Sequence, residues 1–199
     1  MAMPPVLYFF RHGETEFNAQ DRVQGFDVPL NDVGRSQAAQ CGKILGELLA
    51  RDGKAAADLD YVSSPLCRAQ QTMELARPQL SLPPDGYRLE RKLTEMSFGA
   101  WENATWAELN AREPDAVAGR DRDRWHVAPP DGESYEHLLR RVSGWYRTVK
   151  RDSVVCSHGA VARALMVHLD AMTRQEAMLH SVGQGVVYVF AGGRLTQYP

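Results

Sequence analysis

Cysteine is scarce in this sequence, because only three of its 199 residues are cysteines. They are Cys41, Cys67 and Cys156, an odd number at wide spacing. This pattern excludes a disulfide framework and a CxxC metal site. We therefore expect reduced thiols and a cytoplasmic protein.

Long hydrophobic runs and an excess of one charge are also missing. The apolar stretch at 6–10 is far too short to span a bilayer, and no cationic segment precedes it. The formal net charge of −2 gives no argument for nucleic acid or an anionic membrane as a partner. Because no repeat or low-complexity linker divides the chain, we expect a single domain over residues 1–199.

What the sequence does contain is short apolar runs that alternate with segments of helical period. Strands are predicted at 6–10, 60–64, 87–93, 153–157 and 185–191, with a terminal hairpin through Gly192–Gly193 to 194–198. Helices are predicted at 35–51, 66–77, 135–150 and 160–169. This alternation predicts an α/β fold with a mostly parallel central sheet, covered by helices on both faces as a three-layer α/β/α sandwich.

Residues 97–133 fit this alternation least. They contain Trp101, Trp106 and Trp125, a charged run and the Pro129–Pro130 turn. We expect them to form an excursion that lies over the end of the sheet, next to the active site, and not a separate domain.

Two basic residues and a glycine follow the first predicted strand, in the stretch "VLYFFRHGETEFN". Successive side chains of a strand point to opposite faces, so Arg11 and His12 reach one ligand only if the strand has already ended. Gly13 permits such a turn and lets a ligand approach the main chain. This stretch predicts a binding loop at the carboxyl end of the strand.

Basic residues also follow two later strands. The second strand precedes Ser64 as a candidate N-cap, Pro65 at the first helical position and Arg68 in the opening turn. The strand at 153–157 precedes His158 and an apolar helix. Ligands of open α/β sheets bind at the carboxyl ends of the strands, where helix N-termini add positive potential. The sequence therefore predicts a pocket for an anion, and arginine suits phosphate because its planar fork bonds oxygens in pairs.

Five motifs in order now make a family recognisable. They are "RHGETEFN", "SSPLCRAQQT", "LTEMSFGAWEN", "PPDGESY" and "SHGAVARAL". Together they resemble the histidine phosphatase superfamily, which includes the cofactor-dependent phosphoglycerate mutases. The resemblance runs from about Val6 to Gln184 and implies a phosphoglycerate mutase-like fold.

The resemblance implies a two-step phosphoryl transfer that needs no metal and no cofactor. His12 attacks phosphorus and becomes a phosphohistidine, while Arg11, Arg68 and His158 hold the phosphoryl oxygens. The residue types fit this chemistry, because a neutral imidazole is a competent nucleophile near pH 7 and neighbouring cations disfavour its protonation. Arginines neutralise the spreading charge of the phosphoryl group.

The resemblance also implies an acid and a further oxygen ligand. Glu95 protonates the leaving oxygen and then activates water, although Glu102 lies close enough in sequence to take that role instead. Asn18 matches an oxygen ligand, with a structural role in the turn as its alternative. Ser134 is expected to be the N-cap of the helix that follows it.

The charged run "RDRDRW" has two interpretations. Alternating signs are typical of a solvated surface. Alternatively, Arg120, Arg122 or Arg124 contacts a second negative group of the substrate. The remaining histidines, His126, His137, His168 and His180, have no ligand spacing and are expected to be ordinary.

Two activities of the family, phosphatase and mutase, are possible for this chain, and a third interpretation is a protein that binds phosphate without catalysis. The mutase branch typically has an arginine-arginine segment that is missing here, whereas "FGAWEN" is similar to α-ribazole-phosphate and broad-specificity phosphatases. Asn103 departs from that branch, which often has glycine there. We expect a histidine acid phosphatase-type enzyme acting on a small phosphorylated substrate; a mutase and a non-catalytic phosphate-binding module remain alternatives. A metal held by His12 and His158 is disfavoured, because Arg11 and Arg68 would repel a cation.

Overall fold

A six-stranded sheet forms the centre of the fold in a computed structural model that describes residues 4–25 and 28–199. The strands are β1 (Leu7–Arg11), β2 (Asp60–Ser63), β3 (Arg88–Leu89), β4 (Ser153–Ser157), β5 (Val187–Ala191) and β6 (Arg194–Tyr198). Their order is β3-β2-β4-β1-β5-β6. The first four run parallel, β5 is antiparallel to β1, and β6 is antiparallel to β5, so the mostly parallel sheet and the terminal hairpin are confirmed.

Helices cover both faces of this sheet. The alternation along β1 shows why, since Leu7 and Phe9 pack into one apolar cluster while Tyr8 and Phe10 pack into the other. The helices are α1 (Glu16–Ala19), α2 (Asp32–Arg51), α3 (Cys67–Ala76), α4 (Trp106–Arg112), α5 (Pro114–Arg122), α6 (Tyr135–Tyr146), α7 (Gly159–His168) and α8 (Arg174–Leu179). Helices α2 and α3 lie on the face of Tyr8 and Phe10, and α6 and α7 lie on the other face. The three-layer α/β/α architecture is therefore confirmed.

The strand predicted at 87–93 is mostly wrong. Only Arg88–Leu89 pair with β2, and Arg91–Leu93 form a short 3₁₀ turn. The carboxylate of Glu90 accepts a hydrogen bond from the backbone N–H of Lys92 at 3.0 Å and so begins that turn. The turn directs Leu93 into the core, where it is fully buried.

Two helix starts also differ from the predictions. Helix α2 begins at Asp32 because the side chain of Asn31 accepts a hydrogen bond from Gly34 N–H at 2.8 Å, which is an N-cap the sequence interpretation missed. Helix α3 begins at Cys67, so the prediction of Ser64 as its N-cap is wrong. The predicted N-cap of α6 is confirmed, because Ser134 Oγ accepts from His137 N–H at 3.3 Å.

Residues 97–133 contain α4, α5 and a short 3₁₀ turn at Gly99–Trp101. A small apolar cluster holds this segment together around the buried side chains of Trp101, Leu109 and Val117. Phe98 and Trp106 from the same segment line a cavity at the carboxyl end of β1. The segment thus forms a wall beside the end of the sheet.

Nothing in the described part of the chain combines the length and apolar character that a membrane-crossing helix requires. Cys41 and Cys156 are buried thiols on the α2 face of the sheet. Burial raises the pKa of Cys41 to about 12.

Candidate active site

The loop after β1 begins with His12, whose side chain is only 1% exposed. The sequence interpretation required the strand to end before Arg11, but Arg11 still pairs with Ser157. The ladder extends one residue further, because His12 N–H donates to the carbonyl of Ser157 at 2.9 Å. That part of the prediction is wrong; the turn begins after His12.

Gly13 is required at this turn because two backbones meet there. A Cβ at Gly13 would overlap the backbone carbonyl of Gly34 at the start of α2. A Cβ at Gly34 would overlap the backbone carbonyl of Glu14 in return. Gly13 N–H also donates to Thr72 Oγ1 in α3 at 3.0 Å, so two helices hold the loop in place.

The protonation of the His12 ring follows from its hydrogen bond. Nδ1 lies 2.7 Å from the carbonyl oxygen of Gly13, which only accepts, so Nδ1 carries the hydrogen. Burial lowers the pKa of His12 well below its usual value, and the charges of Arg11 and Arg68 lower it further. The ring is therefore neutral near pH 7, and Nε2 presents a lone pair.

His158 lies beside His12 at the end of β4. The two ring centroids are 5.1 Å apart and the rings are tilted by 57°. His158 is fully buried, and its Nε2 lies 2.7 Å from the hydroxyl oxygen of Ser64. Its Nδ1 is buried without a hydrogen-bond partner among the described residues. Burial lowers the pKa of His158 well below its usual value, and Arg68 adds to the effect.

Two arginines complete a cationic cluster around these rings. Arg11 donates from Nη1 to the carbonyl of Val182 at 3.0 Å. Arg68 is 1% exposed and donates from Nη1 to the carbonyl of Gly25 at 3.1 Å. Burial lowers the pKa of both guanidinium groups, and the carboxylate of Glu95 opposes this shift for each. The structure thus brings together the four basic residues that the sequence predicted.

Glu95 lies next to the same cluster. Its Oε1 accepts from the backbone N–H of Met96 at 2.9 Å, and its Oε2 lies 3.5 Å from the N–H of Ala160 in the first turn of α7. Glu95 lines a cavity of about 140 Å³ together with Arg11, His12 and Arg68. This carboxylate therefore faces the space beside the imidazole.

Arg141 holds the backbone of Glu95 in position. Its Nη2 donates to the carbonyl of Glu95 at 3.1 Å and to Glu133 Oε2 at 2.8 Å, while Nε donates to Glu133 Oε1 at 2.9 Å. Burial alone would raise the pKa of Glu133, but the hydrogen bonds from Arg141 bring it below its usual value. The sequence interpretation treated this stretch only as a helix start and missed the pair.

Glu102 has a different position. Its Oε1 accepts from Ser97 Oγ at 3.2 Å and from Phe98 N–H at 3.3 Å, so it closes a turn of the wall segment. Asn103, next to it, has a φ of +69°, a left-handed conformation that favours glycine and that asparagine tolerates well. The departure from glycine at Asn103 therefore leaves this turn intact.

Asn18 lies at the rim of a larger cavity of about 570 Å³ that also reaches Arg11 and Glu95. Its Oδ1 accepts hydrogen bonds from Thr15 N–H at 3.2 Å and from Gln184 Nε2 at 2.9 Å. The side chain thus has a structural role in a capping box at α1, and its amide nitrogen makes no hydrogen bond to another described residue.

The three arginines of the charged run differ in position. Arg120 is 4% exposed and lines the larger cavity. Arg124 lines it too but is bound to Asp121 Oδ1 through Nε and Nη2, at 3.0 and 2.8 Å. Arg122 is exposed and lies outside this cavity. Arg163 and Tyr135, which the sequence interpretation did not single out, line the cavity as well.

Within residues 4–25 and 28–199, no group of three or more histidine, cysteine, aspartate or glutamate side chains is placed to hold a metal ion. The charged side chains that line the cavity beside His12 are instead the guanidinium groups of Arg11, Arg22 and Arg68 and the carboxylate of Glu95. This donor set suits an anion better than a cation.

This cluster lies at the end of a mostly parallel α/β sheet, and the sequence comparison identifies the family. The chain matches the family model of the histidine phosphatase superfamily (branch 1) over residues 7–194. The chain therefore belongs to the histidine phosphatase superfamily, as its five motifs predict. Members of the superfamily are phosphatases or mutases.

Two phosphatases are among the similar solved structures. The chain is 27% identical to the alpha-ribazole phosphatase from Shigella flexneri, with a TM-score of 0.75 over 97% of this chain and 94% of that one. It is 25% identical to the mycobacterial glucosyl-3-phosphoglycerate phosphatase Rv2419c, with a TM-score of 0.78 over 97% of this chain and 96% of that one.

Curated relatives are longer proteins. The chain is 34% identical to the bifunctional protein Rv2228c of Mycobacterium tuberculosis over 190 residues, which is 93% of this chain and 47% of that protein. It is 30% identical to human 6-phosphofructo-2-kinase/fructose-2,6-bisphosphatase 3 over 187 residues, which is 90% of this chain and 33% of that protein. The chain thus spans half or less of the length of these relatives.

Proposed function

We propose that this chain is a metal-independent phosphomonoester hydrolase that acts through a phosphohistidine on a small phosphorylated metabolite in the cytoplasm. One observation carries the proposal. The His12 ring is neutral, and its Nδ1 is bonded to the carbonyl of Gly13, so a lone pair on Nε2 is available beside the guanidinium groups of Arg11 and Arg68. A nucleophile in that setting is prepared for an anionic phosphoryl group.

In the first step, Nε2 of His12 forms a bond to phosphorus while the bond from phosphorus to the ester oxygen breaks. Glu95 in its protonated form gives that oxygen its proton, so a neutral alcohol leaves. Arg11, Arg68 and the buried Nδ1 of His158 bind the phosphoryl oxygens, and the amide nitrogen of Asn18 binds a further oxygen.

In the second step, water attacks phosphorus and the bond from phosphorus to Nε2 breaks, returning its electron pair to His12. The Glu95 carboxylate takes the proton of the attacking water, so the acid of the first step becomes the base of the second. Inorganic phosphate then leaves, and both side chains return to their starting states.

Two observations support hydrolysis over mutase activity. The catalytic cluster opens onto the 570 Å³ cavity, which gives water a route to the phosphohistidine. The arginine-arginine segment that the mutase branch typically carries is missing from residues 97–133. The similarity to two phosphatases of known structure agrees with both observations.

The test is phosphate release from an aryl phosphate in the presence of EDTA, with His12→Asn as the variant and the exposed His137→Asn as its control. We expect wild type and His137→Asn to release phosphate and to carry an acid-labile phosphoryl label after brief exposure to substrate. His12→Asn is expected to lose both. Phosphoglycerate interconversion with negligible release would favour the mutase, and binding without a label would favour a non-catalytic module.

A further inference from the structure

The hydrogen bond that keeps the hydrogen of His12 on Nδ1 depends on one peptide group, which joins Gly13 to Glu14. The carbonyl oxygen of this group lies 2.7 Å from His12 Nδ1. Its N–H donates to Oε1 of Gln37, a residue of α2, at 2.8 Å. His12, this peptide group and Gln37 therefore form a series of two hydrogen bonds that begins at the imidazole and ends on a helix.

The direction of the Gly13 carbonyl is not set by a local backbone preference. Glycine adopts more backbone conformations than any other residue, so contacts with the rest of the fold decide how its peptide groups are turned. The close approach of Gly13 to Gly34 fixes where the loop lies. Hydrogen bonds fix which end of the peptide group faces the ring, because an N–H donates and a carbonyl accepts.

A side chain of α3 holds the peptide group on the other side of Gly13. The N–H of Gly13 donates to Thr72 Oγ1 at 3.0 Å, and this hydroxyl donates in turn to the carbonyl of Arg68 at 2.7 Å. Thr72 is fully buried. The peptide group before Gly13 is thus anchored on α3, and the group after it is anchored on α2 by Gln37.

The side chain of Gln37 is itself held in place. It is half-buried, and its aliphatic stem packs against the backbone that leads into β5. A Cβ built on Gly185 would lie 3.4 Å from Gln37 Cγ and 3.6 Å from Gln37 Cβ. The carboxylate of Glu14 is directed elsewhere, because its Oε1 accepts from Asn31 Nδ2 at 2.8 Å. The amide oxygen of Gln37 is therefore aimed at the Glu14 N–H by the packing of its own stem.

We propose that Gln37 is a positioning residue for the nucleophile. By accepting from the Glu14 N–H, it turns the Gly13 carbonyl toward His12 and strengthens that carbonyl as an acceptor, because hydrogen bonds in series polarise one another. The ring then keeps its hydrogen on Nδ1 and its lone pair on Nε2. This inference rests on the proposed function for the role of His12. Gln37 is not among the described residues that line the two cavities of the site, so it acts on the ring and not on the substrate.

The test combines spectroscopy of the histidine rings with single-turnover kinetics on the full chain. Gln37→Met keeps the length of the side chain and removes the acceptor oxygen, whereas Gln37→Glu keeps an oxygen in that place. In wild type, the nitrogen chemical shifts of His12 should show the hydrogen on Nδ1. In Gln37→Met they should change to those of a mixture of tautomers, and Gln37→Glu should restore the wild-type pattern.

The rate of phosphohistidine formation from an aryl phosphate is the second readout. Gln37→Met should be about tenfold slower, the loss expected for one hydrogen bond, with substrate affinity within about twofold of wild type. Gln37→Glu should recover most of the rate. Gln40→Met makes the same replacement at an exposed position of α2 and should behave as wild type. A thermal melt accompanies each variant, and Gln37→Ala takes the place of Gln37→Met if the latter does not fold.

Wild-type ring shifts in a folded Gln37→Met, or a slower rate that Gln37→Glu fails to recover, would overturn the inference. A wild-type His12 ring with its hydrogen on Nε2 would overturn it as well. The proposed function fails independently, if wild type takes up no acid-labile phosphoryl label and releases no phosphate while the ring shifts still respond to Gln37→Met. An active, labelled wild type whose ring shifts ignore the residue at position 37 would keep the function and remove Gln37 from it.

Discussion

The hydroxyl of Ser64 lies 2.7 Å from Nε2 of His158, and both side chains are completely buried. The same hydroxyl oxygen accepts from the backbone N–H of Leu66 at 3.3 Å, so its own hydrogen is available to Nε2. We infer that Ser64 donates to Nε2 and thereby keeps the hydrogen of His158 on Nδ1, where the ring can donate to a phosphoryl oxygen. Ser64 is a positioning residue.

Replacing this hydroxyl tests the inference. Ser64→Ala is expected to lower kcat/KM about tenfold, because His158 loses the hydrogen bond that selects its tautomer. Nitrogen chemical shifts of the His158 ring should change from one tautomer to a mixture. Ser63→Ala removes an adjacent buried hydroxyl that donates to a backbone carbonyl, and serves as the control. Unchanged ring shifts in Ser64→Ala would show that the serine only fills space.

The identity of the acid is testable with leaving groups of different basicity. Glu95→Gln is expected to lower turnover of alkyl phosphates about 10²–10⁴-fold, because their oxygens need a proton as they leave. Nitrophenyl phosphate needs little protonation and should be affected far less. Glu102→Gln disturbs a nearby turn, but its ratio of alkyl phosphate to nitrophenyl phosphate turnover should stay as in wild type. If Glu102→Gln rather than Glu95→Gln selectively lost turnover of alkyl phosphates, the acid would be Glu102.

Arg141 is expected to act on catalysis through Glu95. Arg141→Met removes the hydrogen bonds to the Glu95 carbonyl and to Glu133, so kcat should fall about tenfold with little change in KM. In a Glu95→Gln background the same substitution should cost much less, because two residues that act as a unit are not additive. Kinetics of the four proteins measure this coupling, and full additivity would contradict it.

The two buried histidines predict a loss of stability in mild acid. Their pKa values are lowered in the folded protein, by burial first, so below pH 6.5 the unfolded chain binds protons that the folded chain does not. The free energy of unfolding should therefore fall as pH falls, by about 1.4 kcal/mol per pH unit for each histidine. Urea titrations between about pH 6.5 and 5.0 measure the slope. His12→Asn should show a smaller slope, whereas a flat wild-type profile would rule out two neutral buried rings.

Sequence reasoning predicted the parts of the site that lie in chain order at strand ends. Arg11 ends β1, and His12 and His158 directly follow strands whose apolar runs are unambiguous, so their convergence follows from sheet topology. The strand at 87–93 was predicted too long because the alternation of "YRLERKL" is also compatible with the turn at Arg91–Leu93. Short segments at a sheet edge have few pairing partners, and local hydrogen bonds then decide their conformation.

Other residues were missed because their roles depend on contacts far apart in sequence. Ser64 has the composition of an N-cap, yet it bonds His158 across 94 positions. Arg163 had a readable signal, since it lies four residues after Gly159 and shares its helix face. Arg120 was one of three arginines that the sequence offered as substrate contacts, but no signal showed which of them is buried, because alternating charges describe a solvated surface equally well. Tertiary packing on Phe98 decides which arginine turns inward.

The close packing of Gly13 against Gly34 has a consequence for how this enzyme diverges. The nucleophile loop and the start of α2 are in backbone contact, so neither accepts even a methyl group without displacing the other. We therefore expect new substrate preferences to arise in the wall at 97–133, at positions other than Gly99 and Gly132, where an added Cβ would also overlap backbone atoms. A deep mutational scan should therefore find many tolerated substitutions in that wall and very few at Gly13 and Gly34.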